Sequence, residues 1–175
     1  MATEEAHAGN KGFAIARVPC FADTFVQGRS SVLRIKFSAK HPRNHNPTIM
    51  ASHALLTKLN NYSNKLIALY GRSNKLPATI IGAEFQRLKK VDKSGSIPNP
   101  ISPYLKRELE NNLGPLGTVC QKYRIGCCCE VHASNQIFLT PNIITNTKNI
   151  VFTSAKRPRT NQVINRCRNC QTVFG

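Results

Sequence analysis

Two short cysteine motifs near the C-terminal end of the chain hold the residues best suited to chemistry. Cys128 and Glu130 form a C-x-E pattern, and Cys167 and Cys170 form a C-x-x-C pattern. Three thiolates can hold one zinc ion while its fourth position stays open to water, and a carboxylate outside the metal can move protons. A zinc-dependent nucleobase deaminase needs this set of groups. The pattern predicts a metal site made by Cys128, Cys167 and Cys170, with Glu130 as the catalytic residue.

The spacing within each motif indicates how these residues must be positioned. Residues i and i+2 of a regular helix are separated by about 200° of rotation, so Cys128 and Glu130 can face one site only at a helix N-terminus. Gly126 is well placed for the bend that leads into such a helix. Residues i and i+3, such as Cys167 and Cys170, do lie on one face of a helical turn. We therefore expect two helix N-termini to point at one metal ion.

The same cysteines are also compatible with a closed, structural zinc site. In that alternative a fourth protein ligand completes the coordination of the metal, and the candidates are His132, Cys127 and Cys120. A C-x-E pattern is too short to separate the two kinds of site, so the spacing leaves both open. His132 lies two residues beyond Glu130 and is better explained as a core or supporting histidine than as a ligand.

The chain carries a large excess of positive charge. It has 25 Lys and Arg against 8 Asp and Glu in 175 residues, a formal net charge of +17. This excess predicts a polyanionic partner, of which nucleic acid is the first candidate. An uncharged free nucleoside would gain little from it, which makes a free-nucleoside deaminase the weaker hypothesis. A hypothesis of a different class is a non-catalytic nucleic-acid-binding protein with a structural zinc site.

Four polar side chains close to the two motifs are candidates for contact with a nucleic acid. They are Arg157, Arg159, Asn135 and Arg166. The arginines precede the C-x-x-C motif, where backbone phosphates would pass, and phosphate contacts confer affinity without reading base sequence. Because no aromatic cluster marks a base-stacking surface, Tyr104 and Tyr123 are the candidates for that role.

The cysteine pattern and the lack of targeting signals indicate the compartment. Seven cysteines, three of them consecutive at 127–129, suit metal binding in a reducing compartment better than a disulfide framework. The first ten residues lack the apolar core of a signal peptide, and no run of about 18 apolar residues occurs. We expect a soluble, cytoplasmic protein with no membrane partner.

Hydrophobic patterns divide the chain into a basic N-terminal region, 1–75, and a zinc domain, 76–175. In the first region 12–20 and 30–39 have strand patterns, and a long helix is predicted from an Asn46 cap to Tyr70. The apolar stripe of this helix consists of Leu55, Leu59, Tyr62, Leu66 and Leu69. A stripe of this width predicts packing against the core of the second region.

The zinc domain has the alternating elements of an α/β fold. Strands are predicted over 76–85, 87–97 and 149–155, and helices over 102–113, over 128–139 and from Cys167 onward. Ser102 and Pro103 provide the cap and first turn of one helix, and Gly114 and Pro115 end it. Helices interleaved with strands indicate helices packed on a sheet.

Three blocks around the two motifs resemble one known family. They are 126–136 (GCCCEVHASNQ), 151–160 (VFTSAKRPRT) and 163–171 (VINRCRNCQ), and 77–84 (PATIIGAE) is similar to the opening strand. The chain thus resembles the YwqJ-like deaminases of bacterial polymorphic toxins, which carry C-A-E-x-H-A in the first block and C-x-N-C in the last. The resemblance covers about 76–175 and is most specific in the last fifty residues.

The resemblance implies a cytidine deaminase-like fold, a three-layer α/β/α sandwich around a mixed sheet, here with a basic N-terminal extension. It also implies zinc at Cys128, Cys167 and Cys170, Glu130 as proton shuttle, and deamination, most simply of cytosine, in single-stranded or flipped-out DNA or RNA. A toxin of this kind would act in the cytoplasm of a target cell and be neutralised by an immunity protein. The chain departs from the pattern at Cys129, where the family has Ala, and at Arg166, where many deaminases have Pro. With Gly175 five residues past Cys170, a short closing helix is expected.

Overall fold

The computed structural model describes residues 50–143 and 145–175. The helices are α1 (His53–Tyr70), α2 (Pro103–Leu113), α3 (Cys129–Phe138) and α4 (Arg168–Phe174), and a 3-10 helix spans Thr147–Asn149. The strands are β1 (Ile80–Phe85), β2 (Leu88–Lys93), β3 (Val119–Cys120), β4 (Tyr123–Arg124), β5 (Val151–Phe152), β6 (Ala155–Lys156) and β7 (Val163–Ile164). Within these residues no helix has both the length and the apolar character needed to cross a bilayer.

The main sheet has the strand order β2-β1-β6-β7, and β5 also pairs with β1. Every pairing among the described residues is antiparallel, whereas the mixed sheet of the sequence prediction requires parallel pairs as well. Short hairpins join β1 to β2 and β6 to β7, and a short hairpin can only join antiparallel strands. The pairings of β1 with β5 and β6 join distant segments and are antiparallel as well. The fold is therefore α/β with a mostly antiparallel sheet.

The strand predicted over 149–155 is split in two by a bulge. Ala83 pairs with Phe152 in β5, whereas Ile80 pairs with Lys156 in β6, a register offset of one residue. Thr153 fills the gap, since its amide donates to Gly82 O and its hydroxyl accepts from Gly82 N, both at 2.9 Å. An extra residue of this kind bends a strand and redirects the side chains that follow it.

Helices pack on both faces of β1, as its alternating side chains require. Ile80 packs with Leu59 and Leu66 of α1, and Ile81 lies on the other face with Ala133 and Ile137 of α3. At Gly82 an added Cβ would lie 2.9 Å from Cδ1 of Leu55, so only glycine allows α1 to come this close to the strand. The predicted packing of the long helix on the sheet is thus found in the structure.

The start of α1 and the end of its apolar stripe differ from the prediction. Residues 50–52 are not helical, and Ser52 is the N-cap, with its hydroxyl accepting from Leu55 N at 3.3 Å. The amide of Ser52 donates to the Glu84 carboxylate at 3.1 Å, which fixes the chain in an extended conformation just before the helix. Leu69 is 63% exposed, so the last turn of α1 is not covered by the described residues. The predicted Asn46 cap and the strands over 12–20 and 30–39 lie outside the described residues.

A separate apolar cluster fixes α4 against the rest of the molecule. Leu105 and Leu109 of α2, Val131 of α3 and Val173 and Phe174 of α4 are buried together. The predicted limits of α2 are confirmed, with Ser102 as N-cap, Pro103 in the first turn and Gly114 as C-cap. Because Cys170 is part of this cluster, the same packing that holds α4 also fixes one of the predicted metal ligands.

Candidate functional site

The first cysteine motif lies at the N-terminus of α3. Cys128 is the N-cap in an extended conformation, and Glu130 lies in the first turn with only 4% of its surface exposed. Gly126 makes the predicted bend with a φ of 92°, and an added Cβ there would meet Ile97 and Leu116 at 3.3 Å. The bend turns the chain so that a residue in the cap position and a residue of the first turn can face the same space.

The second motif lies at the N-terminus of α4 and meets the first. Cys167 is the N-cap of α4, and its Sγ lies 3.6 Å from the Sγ of Cys128. The Sγ atoms of Cys128, Cys167 and Cys170 all lie within 4.8 Å of one another, which is close enough to bind one metal ion. Among the described residues no fourth Cys, His, Asp or Glu joins this group, so His132, Cys127 and Cys120 do not complete it.

The three thiols strongly perturb one another. The hydrogen bond with Cys167 raises the pKa of Cys128 to about 12, and the negative charge of Glu130 adds to the rise. Hydrogen bonds from Cys128 and Cys170 lower the pKa of Cys167 to about 3, with help from the backbone amides of Cys170 and Asn169. Hydrogen bonds to Cys128 and Cys167, together with burial, raise the pKa of Cys170. In the metal-free cluster these shifts favour a negative charge on Cys167, which accepts hydrogen bonds from the other two thiols.

Glu130 is held by a short chain of weak hydrogen bonds. Thr79 Oγ1 donates to Cys129 Sγ at 3.3 Å, and Cys129 Sγ donates to Glu130 Oε2 at 3.4 Å. Burial, and the charge of Glu130, raise the pKa of the Cys129 thiol, which keeps its proton available for this bond. Cys129 is 2% exposed, and its buried side chain contacts the Glu130 carboxylate.

A cavity of about 650 Å³ opens above these groups. Its floor, as we define it, consists of Cys128, Cys129, Glu130 and Cys167. Its rim, as we define it, consists of Tyr123, Arg124, Arg157 and Arg159. Glu130 is the only acidic residue among the described residues that line the cavity, whereas three arginines line it. The cavity thus combines a buried carboxylate and thiols with a positively charged entrance.

The predicted nucleic-acid contacts divide into two groups. Arg157 and Arg159 are exposed and line the cavity, in the turn between β6 and β7. Arg159 is fixed to the end of α1, because its guanidinium donates to Asn74 at 2.9 Å and its carbonyl accepts from Arg72 at 3.3 Å. Arg166 lies outside this cavity, stacks on Phe152 at 4.8 Å, and lines a smaller neighbouring pocket together with Glu130.

Asn135 has a structural role in the described residues. It is 4% exposed and does not line the cavity. Its Oδ1 accepts from Ser102 N at 2.8 Å, and its Nδ2 donates to Pro100 O at 2.9 Å. The side chain therefore fixes the loop before α2, and we do not include it among the groups that can contact a ligand.

The β3–β4 hairpin lines the cavity and was not predicted from the sequence. It brings Tyr123 and Arg124 to the rim of the cavity, whereas Tyr104 packs on Phe138 at 5.0 Å and does not line it. Asn169, between the two cysteines of the C-x-x-C motif, donates to the carbonyls of Cys120 at 3.0 Å and Tyr123 at 3.3 Å. The sequence signal available was an aromatic residue followed by a basic residue, Tyr123 and Arg124, just ahead of Ile125 and Gly126.

The site is thus a cluster of three thiols and one buried carboxylate at the bottom of a basic cavity. Two helix N-termini position the floor, and two short hairpins provide the rim. No protein-family model, no curated protein and no solved structure matches this chain.

Proposed function

We propose that the protein is a zinc-dependent deaminase that converts a nucleobase, cytosine to uracil in the simplest case, in single-stranded or flipped-out nucleic acid. One observation carries the proposal, namely that Cys128, Cys167 and Cys170 converge on one point, and that two of these thiols lie with the buried Glu130 on the floor of an open cavity. A structural zinc site has four protein ligands, whereas a hydrolytic site has three and an accessible fourth position. Three cysteine ligands among the described residues support a site of the second kind.

The spacing of the sulfurs supports zinc as the metal. Four ligands in a tetrahedron with Zn–S bonds of about 2.3 Å place two sulfurs about 3.8 Å apart. The Sγ atoms of Cys128 and Cys167 are 3.6 Å apart, so they need little movement to hold a zinc ion. Zinc bound there would lower the pKa of a water molecule and so supply the nucleophile. Three thiolates leave the centre with a net charge of −1, which weakens this effect and increases the need for a base.

Glu130 is the proton carrier of the proposed reaction. Its carboxylate takes a proton from the attacking water, whose oxygen bonds to C4 of cytosine, and passes that proton to N3. It then carries the second water proton to the exocyclic amine, the C4–N bond breaks, and ammonia leaves. Glu130 is only 4% exposed, so bulk water has little access to the carboxylate that carries these protons.

Charge supports a nucleic acid as the substrate. The chain has a formal net charge of +17, and the rim presents three arginines at the entrance to the cavity. Helices on both faces of an antiparallel sheet, with ligands at the N-termini of α3 and α4, support a cytidine deaminase-like layering. The resemblance to the toxin deaminases supports a toxin role in the cytoplasm of a target cell, with an immunity protein as partner.

The test is sequencing of mixed single-stranded DNA and RNA after incubation with the zinc-loaded protein. We expect C-to-U changes in one of the two nucleic acids, and A-to-G changes would identify adenine as the base instead. Glu130→Gln keeps the size of the side chain and removes its proton-carrying role. We expect it to lower the rate by at least about 100-fold, the lower range for a lost general acid-base group.

The control measurement is the metal content of the wild-type protein and of Glu130→Gln. Glu130→Gln should bind as much zinc as the wild type, since no carboxylate belongs to the metal group. If the zinc-loaded wild type changes no base in any nucleic acid, the protein is instead a binding protein with a structural metal. The same conclusion follows if Glu130→Gln leaves every measured property unchanged.

A further inference from the structure

The β3–β4 hairpin presents an aromatic ring at the rim that the proposed reaction does not use. Tyr123 is 50% exposed and lines the same cavity as Glu130 and the thiols. The exposed face of a tyrosine ring is a surface on which a nucleobase can stack. Its neighbour Arg124 is also exposed and lines the cavity.

The hairpin is joined to α4 by hydrogen bonds. Gln121 and Lys122 at its tip have φ values of 47° and 75°, the left-handed conformation of a two-residue hairpin turn. The buried side chain of Asn169 donates to the carbonyls of Cys120 and Tyr123, on either side of this tip. Asn169 lies between Cys167 and Cys170, so the hairpin is attached to the same turn that holds two of the three thiols.

We infer that Tyr123 is a stacking residue for the base adjacent to the target base, and that Arg124 contacts the phosphate between these two nucleotides. The inference rests on the proposed function and specifies its substrate as a polynucleotide strand. Tyr123 is half exposed and Glu130 is buried within the same cavity, so we assign the base at the carboxylate and the base at the ring to neighbouring nucleotides. The volume of about 650 Å³ is within the range of about 300–1,000 Å³ for pockets that enclose drug-sized ligands.

The charges around Tyr123 favour a polynucleotide over other aromatic ligands. Arg157 and Arg159 provide two further cations along the same cavity. A strand that places one base on the floor and the next on Tyr123 carries a phosphate on each side of the target. Stacking on an aromatic ring is available to all four bases, so Tyr123 contributes affinity with modest preference for sequence.

The experiment measures binding of fluorescein-labelled single-stranded DNA and RNA to Glu130→Gln protein by fluorescence anisotropy. In this background Tyr123→Ala should weaken binding about tenfold or more, the effect of losing one stacked base. Tyr123→Phe should bind like the parent because it keeps the ring, and Tyr123→Leu should bind weakly because it keeps only apolar bulk. Tyr70→Ala is the control, since Tyr70 is 40% exposed on α1 and does not line the cavity.

The dependence of oligonucleotide binding on salt concentration distinguishes the role of Arg124 from that of Tyr123. Arg124→Ala should reduce the slope of log affinity against log salt concentration by about one, as expected for one lost phosphate contact. Tyr123→Ala should leave that slope unchanged because the ring has no charge. Equal affinities of Tyr123→Ala and the parent, or of Tyr123→Leu and Tyr123→Phe, would overturn the inference.

The outcomes distinguish this inference from the proposed function. If the protein deaminates a strand and Tyr123→Ala binds and reacts like wild type, the stacking role is wrong and the deaminase proposal stands. If no base is changed but Tyr123→Ala still loses affinity while Tyr70→Ala does not, the stacking role stands without the chemistry. In an active enzyme, Tyr123→Ala should raise KM for the strand with little change in kcat, since the ring does not touch the reacting atoms.

Discussion

The floor and the rim of the cavity differ in how the fold holds them. On the floor Glu130 is 4% exposed and follows a helix cap, and Cys170, which completes the thiol group from below, is 2% exposed within an apolar cluster. On the rim Tyr123 is 50% exposed, and the arginines lie on short hairpins that face solvent. Chemistry at the floor requires fixed positions, whereas recognition at the rim tolerates small movements. We therefore expect substitutions on the floor to abolish metal binding or activity. Substitutions on the rim should only weaken the binding of an oligonucleotide.

The largest effect is expected from the third thiol. Cys170→Ser should weaken metal binding by more than about 100-fold, beyond the loss caused by removing a group that only supports a ligand. The control is Cys127→Ser, because Cys127 lines the cavity but is not a member of the metal-binding group. Metal content after competition with a chelator measures both. Equal losses in the two variants would show that the ligand set is wrong.

The second-largest effect is expected in the pH dependence of metal binding at the floor, which the rim should not share. The pKa of Cys128 is raised to about 12 and that of Cys170 is also raised, so both carry protons near pH 7, whereas Cys167, lowered to about 3, does not. Metal binding should therefore release about two protons, and metal affinity should rise about 100-fold per pH unit near neutrality. Proton release can be measured in weakly buffered solution.

The rim should not follow this pH dependence. Arginine stays protonated throughout the range, so the affinity of the Glu130→Gln protein for a labelled oligonucleotide should change little between pH 6 and pH 8, within roughly twofold. Release of no protons on metal binding would contradict the assignment of the thiol cluster. A steep pH dependence of oligonucleotide binding would contradict the separation of the floor from the rim.

A moderate effect is expected from the residue that joins the two regions. Asn169→Ala removes two hydrogen bonds to the β3–β4 hairpin and should lower the free energy of unfolding by about 1–3 kcal/mol. It should also weaken oligonucleotide binding several-fold, because the hairpin loses its attachment. Asn135→Ala is the matched control, a buried asparagine whose two hydrogen bonds lie away from the cavity. If both variants lose stability and neither loses binding, the attachment of rim to floor has no functional consequence.

The smallest effect is expected from single arginines of the rim. Arg157→Ala should weaken oligonucleotide binding by a few-fold and reduce the salt slope by about one. Arg107→Ala is the control, since Arg107 stacks 5.6 Å above Tyr104 on α2 and does not line the cavity. Anisotropy titrations at several salt concentrations measure both variants. Identical slopes for the two would mean that Arg157 contributes only to the general charge of the surface.

Local signals in the sequence were sufficient for the limits of α2 and for the cysteines of the floor. Ser102, Pro103 and Gly114 act through the residues next to them, and the structure places α2 between these signals. The type and spacing of the cysteines predicted their convergence, because few arrangements of C-x-E and C-x-x-C can serve one metal. The Ser52 cap was missed because Asn46 and Pro47 gave an equally strong signal upstream.

Features that depend on distant residues were not predictable in this way. The turn of the β3–β4 hairpin has Gln121 and Lys122 in place of the usual Asn and Gly, so it carries no turn signal. Its position depends on Asn169, 46 residues beyond Tyr123 in the chain. The bulge at Thr153 likewise depends on Gly82, 71 residues earlier. Sequence patterns report neighbours along the chain and do not report contacts across such separations.

The lack of a side chain at Gly82 affects residues far from β1. It lets α1 sit directly on the backbone of β1, and the residues after α1 fasten Arg159 through Asn74 and Arg72. A Cβ at this position would lie 2.9 Å from Leu55 and 3.1 Å from Thr153, so a neighbour would have to shift. Because residues that follow α1 bind Arg159, we expect a shift of α1 to change the position of this arginine at the rim of the cavity.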